Sequence, residues 1–214
     1  HVSEILEHLP IGLEGFEGTM VDGLRRKGAS NLDLLPEGRG FLLVEFGAGD
    51  PATAAGQAQS LIDRFRRMHK PPSWRIYTKT EAKAVWKIRE SGPRAAVGPG
   101  MAPRYEGWDD ASVAPEKLGP YLRNLRQLLD AFGYEASYYG HFGHGCIHMQ
   151  VSFDLMTESG IRRYSEFIDR AADLVVQYGG SLSGEHGDGQ ARAALLPKMF
   201  GPELMQAFHE FKSA

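Results

Sequence analysis

The stretch from Tyr138 to Gln150, YYGHFGHGCIHMQ, constrains the fold more than any other part of the chain. Its glycines and histidines lie between two runs, 136–139 and 147–153, that look extended because they are rich in aromatic and branched side chains. Glycine permits the positive φ angles of a tight reversal, so the sequence predicts an antiparallel hairpin here. In such a hairpin His141 and His148 would stand nearly opposite each other across the two strands.

Two facing imidazoles are half of a divalent-metal site, and a second glycine-rich stretch, Ser183–Gly189 (SGEHGDG), could complete it. Glu185 in that stretch would supply the oxygen ligand. The next residue, His186, would project to the other side of the chain, where an imidazole is suited to removing a hydroxyl proton near neutral pH. The alternative is that these are polar turn residues without a joint task, because the H-x6-H spacing is not that of a zinc finger.

Composition excludes several classes of function. The 214 residues carry 24 basic and 27 acidic side chains, so no concentrated positive field is available for a nucleic acid. No apolar run approaches membrane-spanning length. The single cysteine, Cys146, excludes an internal disulfide or a cysteine-ligated iron–sulfur cluster within the chain and fits a reducing, cytoplasmic setting. Cys146 could be a nucleophile with His144 or His148 as its base, but its apolar neighbours favour a buried, inert thiol.

The order of the predicted elements is strand–helix–strand–helix–strand–helix–hairpin–helix. Strands are predicted at 41–46, 74–77 and 110–113, and helices at 52–68, from a cap at Thr80, at 115–132 and at 157–178. A parallel doubly wound sheet would need a phosphate loop after its first strand, and none is present. We therefore expect an α+β fold, with an antiparallel sheet, helices packed on one face and ferredoxin-like halves side by side.

The domain boundaries are expected near residue 40. Residues 1–40 look like an irregular connection, and residues 41–214 look like one domain that is truncated at its C-terminus, within the helical run 203–212. The breaker-rich segment 92–103 (GPRAAVGPGMAP) is too long for a simple connection, so we expect a functional or mobile loop.

Two glycine-rich segments together resemble a known signature. GHFGHGCIHMQ followed by GGSLSGEHGDG resembles the FAD-linked oxidase C-terminal domain, the substrate or cap domain of flavoproteins related to vanillyl-alcohol oxidase. That family includes D-lactate, glycolate and D-2-hydroxyglutarate dehydrogenases. VWKIRES and WDDASVAPEKL resemble two further family segments in the same order, so the likeness runs from about Phe41 onward. The segments GLEGFEG and EGWDD are most similar to those of long bacterial members, in which a flavin half is fused to an iron–sulfur half.

The resemblance implies a role for each matching residue. His141 and His148 match two metal-ligating histidines, and Glu185 matches the third ligand. His186 matches a histidine proposed as the general base on the substrate hydroxyl. Arg89 matches an arginine that binds a substrate carboxylate, for which a guanidinium fork is well suited.

Three positions depart from the family pattern. His144 stands where many relatives have aspartate, Gln150 stands where they have asparagine, and Trp108 stands where some carry a lysine. Contacts in the pocket set which substrate is accepted, so these departures leave the identity of the acid open.

The resemblance therefore implies oxidation of a D-2-hydroxy acid, of the D-lactate, glycolate or D-2-hydroxyglutarate type, to the 2-oxo acid. FAD would be bound mainly by a domain absent from this chain, and a divalent metal, expected to be zinc, would be the second cofactor. The expected partners are the small acid, the flavin-binding domain and an iron–sulfur domain of the same full-length protein, with no nucleic acid and no membrane span. We expect a cytoplasmic protein, with a peripheral place at the inner face of the membrane as the alternative, and no activity from this chain alone.

Three other readings stay open. A metal-dependent hydrolase would use the same two histidines and carboxylate to activate water. A non-catalytic interaction domain would use the histidines structurally. A metal-free relative of the family would contact its substrate directly through His141 and His148.

Overall fold

The computed structural model describes residues 1–98 and 100–214, which divide into two compact units. The first unit comprises residues 1–102 and 137–143, and the second comprises residues 103–136 and 144–214. The segment 137–143 therefore returns to the first unit from within the stretch of chain that builds the second.

Strands and α-helices alternate along most of the described chain. The strands are β1 (Gly12–Glu17), β2 (Gly40–Glu45), β3 (Ala111–Ser112), β4 (Ala136–Gly140) and β5 (Cys146–Val151). The helices are α1 (Val2–Leu6), α2 (Gly18–Arg26), α3 (Pro51–Arg66), α4 (Lys79–Ala95), α5 (Leu118–Phe132), α6 (Glu158–Gln177), α7 (Gly189–Ala193) and α8 (Leu196–Ser213). Pairs of strands within each unit are antiparallel, and the predicted α+β class is confirmed.

Strand β1 is the middle strand of the first unit. It pairs along its whole length with β2, from Gly12 opposite Glu45 to Glu17 opposite Gly40, and on its other side with β4. A middle strand has neighbours on both edges, and the four residues 13–16 are buried accordingly. Residues 1–40 were expected to be irregular apart from a short helix at 3–8, which is close to α1. They also contain a central strand and helix α2.

Apolar side chains fill the first unit in two clusters. One joins β1 and β2 to α2 and α4 and contains Phe16, Met20, Val21, Leu24, Phe41, Ile88, Ala95 and Ala96. The other joins β1 to α1 and α3 and contains Ile5, Leu13, Leu61 and Phe65. Helices α2 and α4 approach so closely that a Cβ on Gly23 would overlap the backbone carbonyl of Ala95, which explains a glycine within a helix.

The second unit is organised around β3 and β5. Ala111 lies opposite Ile147 and Ser112 lies opposite Cys146, and Ser112 also forms a bridge with Ser181. The chain that leaves α6 therefore runs beside β3 just before the SGEHGDG segment. Helices α5 and α6 pack together, and the apolar face of α5 is buried at Leu118, Tyr121, Leu125, Leu128, Leu129 and Phe132.

Two local predictions were wrong. Residues 74–77 form no strand, because side chains rather than a backbone ladder hold this segment: the Ser73 hydroxyl donates to the Glu37 carbonyl and the Tyr77 hydroxyl to the Leu34 carbonyl. Thr78, not Thr80, caps α4.

Helix α4 also runs through Pro93 to Ala95, so the first part of the predicted loop 92–103 is helical, while Pro99 lies outside the described residues. A bilayer-spanning candidate would need a long apolar helix, and residues 1–98 and 100–214 contain none.

Candidate active site

His148 lies on β5 at the centre of a polar cluster in the second unit. The residue is only 4% exposed, and its Nε2 is 3.0 Å from the Glu185 carboxylate. The ring stacks on that of His186, with centroids 5.1 Å apart and an interplanar angle of 16°. With Asp110, these residues offer four possible ligand atoms within 4.8 Å of one another. The structure thus brings together three of the five predicted site residues.

Asp109 faces both imidazoles of this cluster. Its Oδ1 accepts a hydrogen bond from the Met149 backbone N–H at 2.9 Å and lies 3.4 Å from His148 Nδ1, and its Oδ2 lies 3.5 Å from His186 Nδ1. Burial lowers the pKa of His148, but the hydrogen bond that its ring donates to Asp109 and the negative charges of Asp109, Glu185 and Asp110 outweigh burial, so that pKa is raised.

Asp110 binds the loop that carries Glu185 and His186. Its carboxylate accepts hydrogen bonds from the Ser183 hydroxyl at 2.5 Å and from the backbone N–H groups of Glu185 at 3.0 Å and His186 at 2.8 Å. Burial raises the pKa of Asp110, but these hydrogen bonds to the charged form prevail and lower it to about 2.

Cys146 is buried behind the same carboxylate. Its thiol donates to Asp110 Oδ1 at 3.2 Å, and burial together with this neighbouring charge raises the thiol pKa far above its ordinary value. A thiol that stays protonated is a poor nucleophile. The structure therefore fits the inert thiol rather than the nucleophile.

The first unit contains the other two predicted site residues, joined by Glu14. Glu14 lies on β1 and is 8% exposed. One of its carboxylate oxygens accepts from Arg89 Nη2 at 2.7 Å, and the other lies 2.7 Å from His141 Nδ1. The Arg89 guanidinium also lies over the Tyr139 ring at 5.2 Å.

The donor atoms fit a divalent metal. Imidazole nitrogen and carboxylate oxygen are the ligands that zinc takes in catalytic sites. Metal-binding histidines usually direct their second ring nitrogen to a carboxylate, which fixes the tautomer. His148 Nδ1 faces Asp109 and His141 Nδ1 faces Glu14, so each imidazole has the carboxylate partner that is usual for a metal-binding histidine.

A family model described as FAD linked oxidases, C-terminal domain, matches residues 1–214. The chain belongs to this family. The match begins at the first residue, so segment 1–40, which was expected to be a connection, lies within the extent of the FAD-linked oxidase C-terminal domain.

Several curated relatives are similar to this FAD-linked oxidase C-terminal domain. A D-2-hydroxyglutarate dehydrogenase from Pseudomonas putida is 29% identical over 182 residues, which is 82% of this chain and 18% of that protein. One from Escherichia coli is 34% identical over 186 residues, again 82% and 18%. A D-lactate dehydrogenase from Archaeoglobus fulgidus is 30% identical over 207 residues, or 95% of this chain and 42% of that protein. The chain thus spans less than half the length of each.

In this FAD-linked oxidase C-terminal domain, His141 and Arg89 lie in one unit, and His148, Glu185 and His186 lie in the other. The convergence of His141 with His148 and Glu185 concerns both units and stays a prediction.

Sequence reasoning missed Asp109, Asp110 and Glu14 as site residues. Two consecutive aspartates at the start of a short strand, and a glutamate within an apolar one, were the signals available, because an unpaired charge is costly to bury.

Proposed function

We propose that this chain is the substrate- and metal-binding domain of an FAD-dependent enzyme that oxidises a D-2-hydroxy acid to the 2-oxo acid. The observation that carries the proposal is the cluster of His148, Glu185 and His186, in which two imidazoles and a carboxylate meet. Membership of the FAD-linked oxidase family supports FAD as the cofactor. Relatives named for D-2-hydroxyglutarate and D-lactate support the class of substrate.

His148 and Glu185 would hold the metal, with zinc as the first candidate and His141 as a further ligand. The carboxylates of Asp109, Asp110 and Glu185 give the cluster a negative charge that a cation balances, which favours metal binding over an empty polar turn. A divalent cation supplies Lewis acidity, because it lowers the pKa of a hydroxyl that it contacts.

His186 would remove the hydroxyl proton. Its side chain is 56% exposed, so a ligand can reach the ring, and Asp109 lies 3.5 Å from its Nδ1. The proton would then move to Nε2, and the carboxylate on the other nitrogen would stabilise the imidazolium. Loss of the hydroxyl proton and of a hydride from the same carbon converts the alcohol to a ketone, and bound FAD is the acceptor of the hydride.

Arg89 would bind the substrate carboxylate. Glu14 occupies one Nη of the guanidinium, and the Arg89 Nε–H has no acceptor among the residues that the structure describes. Arginine can serve two carboxylates at once because its donors form a planar fork. Glu14 would then fix the fork in place for the incoming acid.

The wider assembly is part of the same proposal. The flavin-binding domain and an iron–sulfur domain would belong to the full-length protein, which would work in the cytoplasm or at the inner face of the membrane.

The test uses the full-length flavoprotein with a panel of D- and L-2-hydroxy acids, and follows bleaching of the visible flavin absorbance. We expect D acids to bleach the flavin. His186→Gln should slow bleaching by roughly 10²- to 10⁴-fold, the usual contribution of a general base. The matched control is His209→Gln, a substitution of an exposed histidine on α8, which should leave the rate of bleaching unchanged.

Elemental analysis separates the rival functions. We expect the purified protein to hold about one divalent metal, and His148→Ala to lose it. Absence of bound metal from the wild type, unchanged by His148→Ala, would argue for a metal-free enzyme or an interaction domain. Ester hydrolysis by the zinc-loaded protein without flavin reduction would favour a metal-dependent hydrolase.

A further inference from the structure

We infer that Asp110 is a positioning residue, whose buried carboxylate holds the Glu185–His186 backbone and does not itself bind the metal. What the held loop accomplishes rests on the proposed function. The positioning itself rests only on contacts within the second unit.

The carboxylate of Asp110 is nearly saturated with donors. One oxygen accepts from the Ser183 hydroxyl and from the backbone N–H groups of Glu185 and His186, and the other accepts from the Cys146 thiol. The side chain is 3% exposed. A carboxylate offers about four lone-pair sites, so these four donors leave little capacity for a cation. Asp110 is close enough to the cluster to be considered a metal ligand. Because its carboxylate is already hydrogen-bonded to the loop, we infer that it positions Glu185 and His186 instead.

The backbone of Asp110 is fixed on both sides. Its N–H donates to the Ile147 carbonyl at 2.9 Å, and its carbonyl accepts from the Gly184 N–H at 2.6 Å. Its φ is +72°, which is uncommon for a residue with a side chain and persists only where the surroundings enforce it. Residues held in such conformations cluster at functional sites.

Arg192 holds the backbone that precedes Asp110. The residue is 6% exposed, donates to the carbonyls of Gly107 at 3.1 Å and Asp109 at 2.8 Å, and lies over the Trp108 ring at 4.9 Å. The residues before Asp110 are therefore held by a buried cation. The carboxylate has a fixed position from which to hold the loop.

The loop approaches this carboxylate closely because Gly184 has no side chain. A Cβ there would lie 2.9 Å from the Cys146 sulfur and 3.0 Å from the Ser112 Cβ. The close approach lets three consecutive groups, from Gly184 to His186, donate to Asp110. The side chains of Glu185 and His186 then extend from a fixed backbone toward His148.

The experiment replaces Asp110 with asparagine in the full-length flavoprotein and measures deuterium exchange of the 183–186 amides. A carboxamide has one acceptor oxygen, and its NH₂ group would face N–H donors. We expect Asp110→Asn to accelerate exchange at Glu185 and His186 by about tenfold or more, because a lost charge-assisted hydrogen bond exposes the amide. Bound zinc and kcat should fall together, whereas exchange in α5 and α6 should stay unchanged.

Asp154→Asn is the matched control. Asp154 also accepts from a threonine hydroxyl, that of Thr157 at 2.6 Å, and from two backbone N–H groups, those of Met156 and Thr157. It does so at the start of α6. We expect exchange near residue 157 to accelerate, with no change in zinc content, in kcat or in exchange at 183–186.

Unchanged protection of the Glu185 and His186 amides in Asp110→Asn would overturn the inference, even if activity were lost. Accelerated exchange in a protein whose wild type neither binds metal nor oxidises any 2-hydroxy acid would support the inference and reject the proposed function. If Asp110→Asn does not fold, Ser183→Ala removes a single donor. We expect it to accelerate exchange at 185–186 a few-fold, and no acceleration would equally count against the inference.

Discussion

The carboxylate of Glu14 is shared between a guanidinium and an imidazole. Arg89 and Glu14 are both largely buried, with side-chain exposures of 12% and 10%, so each depends on the other for charge compensation. The same carboxylate holds His141 Nδ1. This one residue therefore orients both of the predicted site residues in the first unit.

Replacement of Glu14 by glutamine should weaken the proposed site without removing any proposed ligand. A neutral amide neither balances Arg89 nor polarises His141, and loss of a partner behind a ligating histidine typically costs 10- to 100-fold in metal affinity or activity. We expect kcat/KM for the 2-hydroxy acid to fall by about that factor. Glu45→Gln, the same change at an exposed position on β2, should leave kcat/KM unchanged.

Asp110 should make stability depend on acid pH. Its pKa is about 2 in the folded chain, against an ordinary value of 3.8, because hydrogen bonds to the charged form outweigh burial. A lowered pKa contributes stability that is present above about pH 4 and is lost as the pH falls through about 2. The shift corresponds to at most about 2 kcal/mol.

Urea unfolding of the metal-free protein would measure this effect. Between about pH 4 and pH 2, we expect the wild type to lose about 2 kcal/mol more of its free energy of unfolding than Asp110→Asn does. If the free energy of unfolding fell equally with pH in both proteins, the lowered pKa of Asp110 would be refuted as the cause.

At the scale of elements, Gly145 determines whether the chain can enter β5. It has φ +70°, and a Cβ there would overlap the backbone carbonyl oxygen of Val113. Gly133, which ends α5 with φ +66°, has open space around it. Substitutions at these two glycines therefore separate the cost of a left-handed backbone conformation from the cost of the steric contact with Val113.

We expect Gly145→Ala to destabilise the protein by more than about 3 kcal/mol and to reduce the yield of folded protein. Gly133→Ala should cost only about 1 kcal/mol, the cost of a left-handed conformation for alanine. Thermal unfolding would measure both, and equal costs would show that the Val113 contact is relieved by local movement.

The start of α4 offers a second comparison between elements. Thr78 and Glu81 form a capping box, in which the Thr78 N–H and hydroxyl both donate to the Glu81 carboxylate at 2.9 Å. Thr78→Ala should lower the free energy of unfolding by about 1 kcal/mol. Thr80→Ala, at the residue that the sequence suggested as the cap, should cost clearly less in the same denaturant titration.

Amphipathic periodicity made the long helices predictable. The stripes of α5 and α6 repeat at helical spacing, and the ends of both helices were predicted within about three residues. Segment 74–77 has strand-like residues, but side-chain hydrogen bonds to 34 and 37 replace a ladder. Strand β1 was missed because its glycines and glutamates resemble a loop until neighbouring strands cover it on both edges.

At the scale of the whole molecule, this chain should not be active by itself. It covers 18% of the Pseudomonas putida relative, and the chemistry proposed for it needs a flavin. We expect the 214-residue chain, produced alone with native helical content by circular dichroism, to show no dye reduction with a 2-hydroxy acid. Turnover by this chain with added FAD would contradict the proposed division of labour.

The site residues that could be predicted from the sequence were those that lie within short motifs. His148, Glu185 and His186 belong to glycine-rich segments whose composition already indicated chemistry. Glu14, Asp109 and Asp110 act through residues far along the chain, 75 positions away for Glu14 and Arg89. Spacing along a sequence carries no information about such pairings, because they are fixed by strand register and by packing.

The contact between Glu14 and Arg89 has a consequence for redesign of the substrate-carboxylate site proposed for this chain. An arginine replaced alone, to admit a longer or an uncharged acid, would leave a buried anion behind it, and truncation of one partner of such a pair typically costs about 3–5 kcal/mol. A library that varies position 89 should therefore vary position 14 in the same clones. Screens of single substitutions would discard useful pockets as unstable proteins.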